Sequence, residues 1–209
     1  MSQPTSVKRK LAWILLVAAL VAVGGFAIFH RLTRPDPPTV LGELPDFRLT
    51  NRDGRTITRA DLRGKPWIAD FIFTRCQVSC PLMTQRMKAL TARLEDFDEL
   101  TYVSITVDPD HDTPQVLQTY AQKNQAADNW LFLTGPRDDV FRLSKEGFML
   151  GIDLNPPEGA TAPGEPILHS TRFVLVDGNG RLRGFYEAFS DATVDRIRKD
   201  LAGLRGEGR

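Results

Sequence analysis

One stretch near the middle of the chain, residues 67–74, is apolar on both of its potential faces. It reads Trp-Ile-Ala-Asp-Phe-Ile-Phe-Thr, so β-favouring apolar residues follow one another without polar alternation. A strand of this composition is buried on both faces and belongs inside a sheet that other elements cover on both sides. The pattern predicts an α/β domain built around this strand.

The remaining segments agree with that domain class. Residues 47–50 and 55–58 predict a hairpin, because Asn51-Arg-Asp-Gly54 supplies a turn between them. Further strands are predicted at 100–107, 130–133, 171–176 and 181–186, and helices at 80–94, from about 114, at 137–148, and after a cap at Ser190 or Asp191. This order predicts a central mixed sheet with helices on both faces.

The N-terminal region carries a different signal. Residues 11–29 form 19 consecutive apolar or small residues without a charge, long enough to cross a bilayer as a helix. A cleaved signal peptide is the alternative, but its apolar region is usually shorter and ends in small residues, whereas Phe26-Ala-Ile-Phe29 is bulky. Both interpretations export the rest of the chain, and Lys8-Arg9-Lys10 favours a cytoplasmic N-terminus.

These signals divide the 209 residues into four parts. Residues 1–10 are predicted to be a cytoplasmic N-terminus, 11–29 a transmembrane anchor, 30–43 a proline-rich linker, and 44–209 one folded domain. Five basic residues precede the first acidic residue, Asp36, so the remainder carries 22 basic and 26 acidic side chains. A mildly acidic body gives no electrostatic footprint for nucleic acid.

Only two cysteines occur, Cys76 and Cys80, with three residues between them. Pro81 suits the first turn of a helix, so both sulfurs are expected near a helix N-terminus, where the thiolate is favoured over the thiol. A disulfide closing so short a loop constrains the unfolded chain little. The spacing allows the two sulfurs to bind one metal ion and also to form a disulfide. Either of these roles is favoured over the interpretation that the cysteines are buried and functionally unrelated.

Three histidines are available to complete such a site. His30 abuts the apolar run and is expected at the membrane interface, while His111 lies in a turn and is expected to be solvated. His169 precedes the strand at 171–176 and can face the cysteine loop from across the sheet. Two thiolates and one imidazole suit Cu(I), or Cu(II) with a further donor. Zn(II) also accepts this set, so the ligands alone leave the metal open.

Three segments in this order and spacing resemble the SCO/SenC family of copper-binding proteins, which assist assembly of cytochrome c oxidase. The segments are residues 71–81, 103–114 and 169–177, and the resemblance extends over roughly 40–205. It implies a thioredoxin-like fold behind an N-terminal anchor. It also implies that Cys76, Cys80 and His169 bind copper for the dinuclear copper centre of an oxidase subunit, or that the dithiol reduces that subunit's cysteines.

The chain departs from the family pattern at two positions. Gln77 stands where the family commonly has Pro, and Leu168 stands where an acidic residue often precedes the histidine. The second change removes a potential partner of the imidazole, which lowers copper affinity or shifts the balance towards redox chemistry. Asp108 matches an acidic position of the family and is interpreted as a turn residue.

The sequence therefore predicts a membrane-anchored copper metallochaperone. Its domain is expected on the periplasmic side of a bacterial-type inner membrane, with the copper-bearing oxidase subunit or another copper or thiol protein as its partner. The first alternative is an extracytoplasmic thiol–disulfide oxidoreductase that uses Cys76 and Cys80. A peroxide-reducing or redox-sensing protein is a third. The Pro- and Gly-rich loop at 154–166 is the segment expected to admit a partner.

Overall fold

The computed structural model describes residues 6–32, 35–153, 167 and 169–207, and at residues 6–8, 27, 28 and 30–32 it describes the backbone alone. The loop at 154–166, Leu168 and the side chain of His30 therefore lie outside the described residues.

The domain is organised by one sheet of eight strands in the order β1-β8-β7-β4-β5-β6-β2-β3. Strands β4, β5 and β6 are parallel, and every other neighbouring pair is antiparallel. The predicted mixed sheet is thus confirmed. The strands are β1 (Gly42–Glu43), β2 (Arg48–Asn51), β3 (Thr56–Thr58), β4 (Trp67–Ile72), β5 (Thr101–Thr106), β6 (Trp130–Thr134), β7 (Arg172–Val176) and β8 (Arg181–Glu187).

Five α-helices accompany the sheet in the described part of the chain. They are α1 (Ser6–Leu32), α2 (Ser79–Arg93), α3 (Pro114–Lys123), α4 (Arg137–Arg142) and α5 (Thr193–Glu207). A 3₁₀ turn covers Arg59–Leu62, and a π turn at Leu143–Gly147 continues α4. Helix α5 begins later than the expected cap, because Ser190 and Thr193 are used in turns that close back on Glu187.

The predicted double-sided burial of the central strand is confirmed. All six residues of β4 are buried. Phe148 packs edge-on against Trp67 and Phe71, with ring centroids 5.8 and 5.2 Å away. Such edge-to-face pairs add to the free energy gained from apolar burial. The loop that follows β4 therefore starts from a rigid element.

Helix α1 contains the apolar run and extends beyond it at both ends. Its side chains from Arg9 to Phe26 are all exposed, and this stretch is long and apolar enough to cross a membrane. The segment predicted as a linker is partly docked on the domain, since Gly42–Glu43 forms β1 and pairs with Leu182 and Arg181 of β8. The division into four parts remains a prediction.

Candidate metal site

The two cysteines lie where β4 leads into α2. Cys76 sits in the connecting loop, its N–H donating to the Phe73 carbonyl at 3.2 Å, and Cys80 is the second residue of α2. Both are in the reduced form. Cys80 is fully buried, whereas Cys76 keeps 6% of its surface exposed. Cys76 is therefore the sulfur that a partner reaches first.

Backbone N–H groups point at both sulfurs. The Phe73 N–H donates to Cys80 Sγ at 3.4 Å, and the Cys80 N–H donates to Cys76 Sγ at 3.3 Å. The hydroxyl of Ser79 lies 3.6 Å from Cys76 Sγ. Donors at the first turn of a helix stabilise negative charge on sulfur, as the sequence predicted.

His169 lies at the same end of the sheet. Strand β7 is antiparallel to β4, so the residues just before β7 stand beside the loop that leaves β4. The imidazole Nε2 is 3.4 Å from Cys80 Sγ. The ring of Phe73 meets the imidazole edge-on, with centroids 5.5 Å apart. The structure thus brings the predicted histidine to the buried sulfur.

The other ring nitrogen fixes the tautomer of His169. Its Nδ1 is 3.1 Å from the carbonyl oxygen of Ser170. A carbonyl only accepts, so Nδ1 carries a proton, and Nε2 is the nitrogen that presents a lone pair to an ion when it carries no proton itself. The backbone carbonyl of Ser170 thereby takes the orienting role that the sequence analysis assigned to an acidic residue before the histidine.

The two sulfurs differ in protonation. The hydrogen bond from Cys80 lowers the pKa of Cys76 to about 3, against the opposing effect of burial, with His169 and backbone N–H groups adding to the lowering. The same hydrogen bond to Cys76, and then burial, raises the pKa of Cys80 well above its ordinary value. The pKa values of the two sulfurs are thus shifted in opposite directions, which favours Cys76 over Cys80 as the thiolate of the pair.

A buried acid, Asp70, belongs to this environment although the sequence analysis did not single it out. It is fully buried on β4, and Ser104 donates to its Oδ1 at 2.6 Å while Oδ2 has no partner among the described residues. Burial raises the pKa of Asp70 to about 7, with the Ser104 hydrogen bond and the charge of His169 opposing that rise. Its charge in turn raises the pKa of Cys80. An aspartate inside an apolar run was the available signal.

A second group of donors, the loop cluster, consists of Asp108, His111 and Asp112. Their potential ligand atoms lie within 4.8 Å of one another. Asp112 accepts from the N–H and hydroxyl of Thr74, from the hydroxyl of Thr106 and from His111 Nδ1, at 2.5–3.0 Å. These hydrogen bonds engage the carboxylate oxygens and fasten the loop ahead of Cys76. His111 is exposed, as predicted.

Asp108 does more than shape a turn. Its Oδ2 accepts from Arg75 Nε and Nη2 at 2.9 and 2.6 Å. Arg86 lies 3.8 Å from Asp191. Both arginines thus face carboxylates, and the low pKa of Cys76 arises from its neighbouring thiol, imidazole and backbone donors instead.

A large groove lies elsewhere, at the opposite end of the sheet. It has a volume of about 1240 Å³ and is lined by residues that include Pro66 before β4, Asp177 after β7 and Arg205 near the end of α5. Its lining mixes basic and acidic side chains and contains neither cysteine nor histidine. The chemistry of the chain therefore lies in the compact cluster at the other end.

Comparison with known proteins identifies relatives of the chain. A family model described as SCO1/SenC matches residues 38–204. The SCO1 protein homolog of Bacillus subtilis (strain 168) is 32% identical over 163 residues, which cover 76% of this chain and 81% of that protein.

Two solved structures extend the comparison. BsSco, a member of the Sco family of cytochrome c oxidase assembly proteins with an identified disulfide switch, has a TM-score of 0.70 and 28% identity, covering 82% of this chain and 98% of that one. Yeast Sco1 with copper bound has a TM-score of 0.62 and 26% identity, covering 77% and 88%. The thioredoxin-like fold predicted from the sequence is confirmed, and the chain belongs to the SCO1/SenC family.

Proposed function

We propose that the chain is a copper metallochaperone that carries its ion on Cys76, Cys80 and His169. The observation that carries this proposal is the 3.4 Å separation of Cys80 Sγ and His169 Nε2 at the head of α2. A copper-bound relative, yeast Sco1, supports copper as the cargo. The family's role in cytochrome c oxidase assembly supports the dinuclear copper site of that enzyme as the destination.

The donors fit a soft ion of the first transition row. Bonds of about 2.3 Å to sulfur and 2.0 Å to nitrogen hold two donors on one ion roughly 3.5–3.7 Å apart. Cys80 Sγ and His169 Nε2 are therefore within a few tenths of an ångström of a ligating distance before any ion binds. The lowered pKa of Cys76 favours its thiolate form, which is the form that ligates a metal. Thiolate and imidazole together favour copper over hard cations.

Transfer follows from the unequal exposure of the ligands. Cys80 is fully buried, whereas Cys76 lies in the loop and retains accessible surface. An acceptor thiolate that displaces Cys76 from the ion begins ligand exchange, and the two other ligands then leave in turn. No oxidation or reduction is required for this exchange.

A Cu(I) titration tests the proposal. The reduced full chain in detergent micelles, competed against a chromophoric Cu(I) chelator, is expected to bind about one ion per chain. The double variant Cys76→Ser, Cys80→Ser is expected to bind none under the same conditions. Copper-loaded chain is then mixed with the metal-free copper domain of the oxidase subunit, whose copper absorption should appear as the chain loses its ion. A wild-type chain that competes no better than the double variant contradicts the proposal.

The pKa values of the two sulfurs, lowered at Cys76 and raised at Cys80, support a second candidate function, the reduction of a disulfide in a partner protein. The Cys76 thiolate attacks a sulfur of the partner disulfide and expels one partner thiolate. Cys80, after losing its proton, then attacks Cys76 Sγ and expels the second. The chain ends as a disulfide and the partner gains two electrons; its two thiolates take up the proton released by Cys80 and one proton from solvent. His169→Ala should leave this reaction within about threefold of wild type, whereas Cys76→Ser should abolish it.

We also propose that α1 anchors the domain outside a bacterial-type inner membrane. The exposed apolar side chains of α1 between Leu11 and Phe26 support an anchor. Lys8, Arg9 and Lys10 ahead of the apolar run favour a cytoplasmic N-terminus. Carbonate extraction of membranes checks the anchor, and protease treatment of intact spheroplasts checks the side. Protection of the domain from external protease would contradict the periplasmic placement.

A further inference from the structure

The chain between the membrane helix and the domain is short and is fixed early. Helix α1 ends at Leu32. By Asp36 the chain already lies against α5, since a Cβ at Gly203 would stand 2.6 Å from the Asp36 carbonyl oxygen and 2.9 Å from Pro37 Cα. The N–H of Leu41 then donates to Leu182, β1 pairs with β8, and the N–H of Leu44 donates to Gly180. We call residues 36–44 the docked tether.

The docked tether joins the end of the sheet that lies opposite the sulfurs. Strand β8 is antiparallel to β7, and β7 is antiparallel to β4, so β8 and β4 start at the same end. The tether pairs with the first residues of β8. At this end, Arg183 binds Glu207, the last residue of α5, at 2.8 Å. Cys76 and Cys80 follow the other end of β4.

Two contacts of α2, one with Asp191 just before α5 and one with Arg198 within α5, set the height of the sulfurs above the tether. The two helices run side by side in one direction, because Arg86 approaches Asp191 and the Arg93 carbonyl accepts from Arg198. Thirteen residues separate Cys80 from Arg93, and five separate Arg198 from Gly203. At 1.5 Å per residue, Cys80 stands about 27 Å from the level of Gly203 along the helix axes.

The tether is too short to let the domain invert and point its sulfurs at the membrane. From Phe29, where the apolar run ends, three helical residues and four extended ones reach at most about 19 Å to Asp36. The headgroup layer occupies roughly 6 Å of that reach. If the sulfurs faced the lipid, Asp36 would have to stand about 33 Å from the apolar edge, which is the sum of the headgroup layer and the height of about 27 Å.

We infer that the docked tether holds the domain with its cysteine–histidine end directed away from the membrane. This inference rests on the proposed anchor and narrows the class of partner. The acceptor must present its thiols or copper ligands on a domain that stands out from the lipid surface by tens of ångströms, not within the bilayer or at the headgroups. Three large, exposed apolar side chains lie at the membrane-facing end. Two of them, Val40 and Leu41, belong to the docked tether, and Met149 lies beside it.

A lipid-bound thiol reagent tests this orientation. The reduced full chain is reconstituted in phosphatidylcholine vesicles that contain phosphatidylethanolamine bearing a headgroup maleimide. Labelling of Cys76 by this lipid is compared with labelling by soluble maleimide. A variant with ten Gly/Ser residues inserted between Pro35 and Asp36 gains about 35 Å of reach. The matched control carries the same ten residues between Met1 and Ser2, where they leave the tether unchanged.

The lengthened tether is expected to raise the rate of lipid labelling at least tenfold, while wild type and control stay equally slow. Soluble maleimide should label all three alike. Wild-type chain that reacts with the lipid reagent as fast as the lengthened variant overturns the inference. Mixing protein vesicles with separate reagent vesicles measures the contribution of collisions, which is subtracted. Flotation of the chain with vesicles and its Cu(I) stoichiometry are scored in the same samples, so loss of the anchor or of copper binding is recognised separately from a wrong orientation.

Discussion

Two histidine clusters lie close to the start of α2, and they differ in whether their donor atoms are already engaged. In the loop cluster, Asp112 accepts four hydrogen bonds and Asp108 accepts two from Arg75. In the other, His169 Nε2 faces a sulfur that has one backbone donor. Carboxylates with filled lone pairs fasten loops, whereas sulfurs and an imidazole with open lone pairs bind an ion.

The largest expected effect comes from removing one histidine from each cluster. His169→Ala is expected to weaken Cu(I) binding roughly 10²–10³-fold, since one ligand contributes about 3–4 kcal/mol of a metal-binding free energy. His111→Ala should leave the affinity within about threefold of wild type, because its Nδ1 is committed to Asp112. Competition titrations with a Cu(I) chelator measure both. Equal losses in the two variants would erase the distinction between the clusters.

The aspartates of the loop cluster test the same comparison through stability. Asp112→Asn places an amide NH₂ among donors that now meet carboxylate oxygens, so we expect a loss of about 2–3 kcal/mol in the free energy of unfolding. Asp108→Asn weakens a pair in which Arg75 is 55% exposed, and the expected loss is about 1 kcal/mol or less. Urea unfolding at pH 7 measures both.

Copper affinity decides whether these aspartates also belong to the metal site. Folded Asp112→Asn and Asp108→Asn chains are each expected to keep Cu(I) affinity within about threefold of wild type. A tenfold loss in either variant, with the fold intact by circular dichroism, would show that the loop cluster contributes to metal binding. The contrast between the loop cluster and the cysteine–histidine site would then not hold.

Much of the fold and the core of the site could be predicted because their signals are local. The β-favouring run of β4, the helical spacing after Cys80 and Pro81 in the first turn of α2 each specify a conformation over a few residues. Antiparallel pairing of β7 with β4 then brings His169 beside the cysteine loop. That pairing was not predicted, because the sequence indicated only that His169 can face the cysteine loop from across the sheet.

Other features depend on contacts between distant residues, which no periodicity encodes. Thr74 and Asp112 are 38 residues apart, and nothing near either residue announces their hydrogen bonds. Docking of the tether was missed because a Pro-rich segment is typical of an undocked linker, and its β1 strand is only two residues long. Asp70 was passed over because the apolar residues around it dominate the strand signal.

The smallest expected effect comes from comparing two buried aspartates, one surrounded by many hydrogen-bond donors and the other by few. Asp112 accepts four hydrogen bonds, whereas Asp70 accepts one from Ser104 and its Oδ2 has no partner in the described part of the chain. Burial raises the pKa of Asp70 to about 7 in the folded chain, while the unfolded value is near 3.9. The unfolded chain therefore releases this proton at lower pH than the folded chain does.

Stability must then fall as pH rises towards and through the folded pKa of Asp70. Between pH 6 and 8 the free energy of unfolding of the reduced, metal-free wild type should drop by about 1 kcal/mol relative to Asp70→Asn. Taking the difference cancels the pH dependence that both chains share, and the cost of the buried Asn amide does not change with pH. Urea unfolding at pH 6, 7 and 8 gives the two curves. Parallel curves would mean that Asp70 is ionised throughout this range, so a missing hydrogen-bond donor would not suffice to keep a buried carboxyl protonated beside these sulfurs.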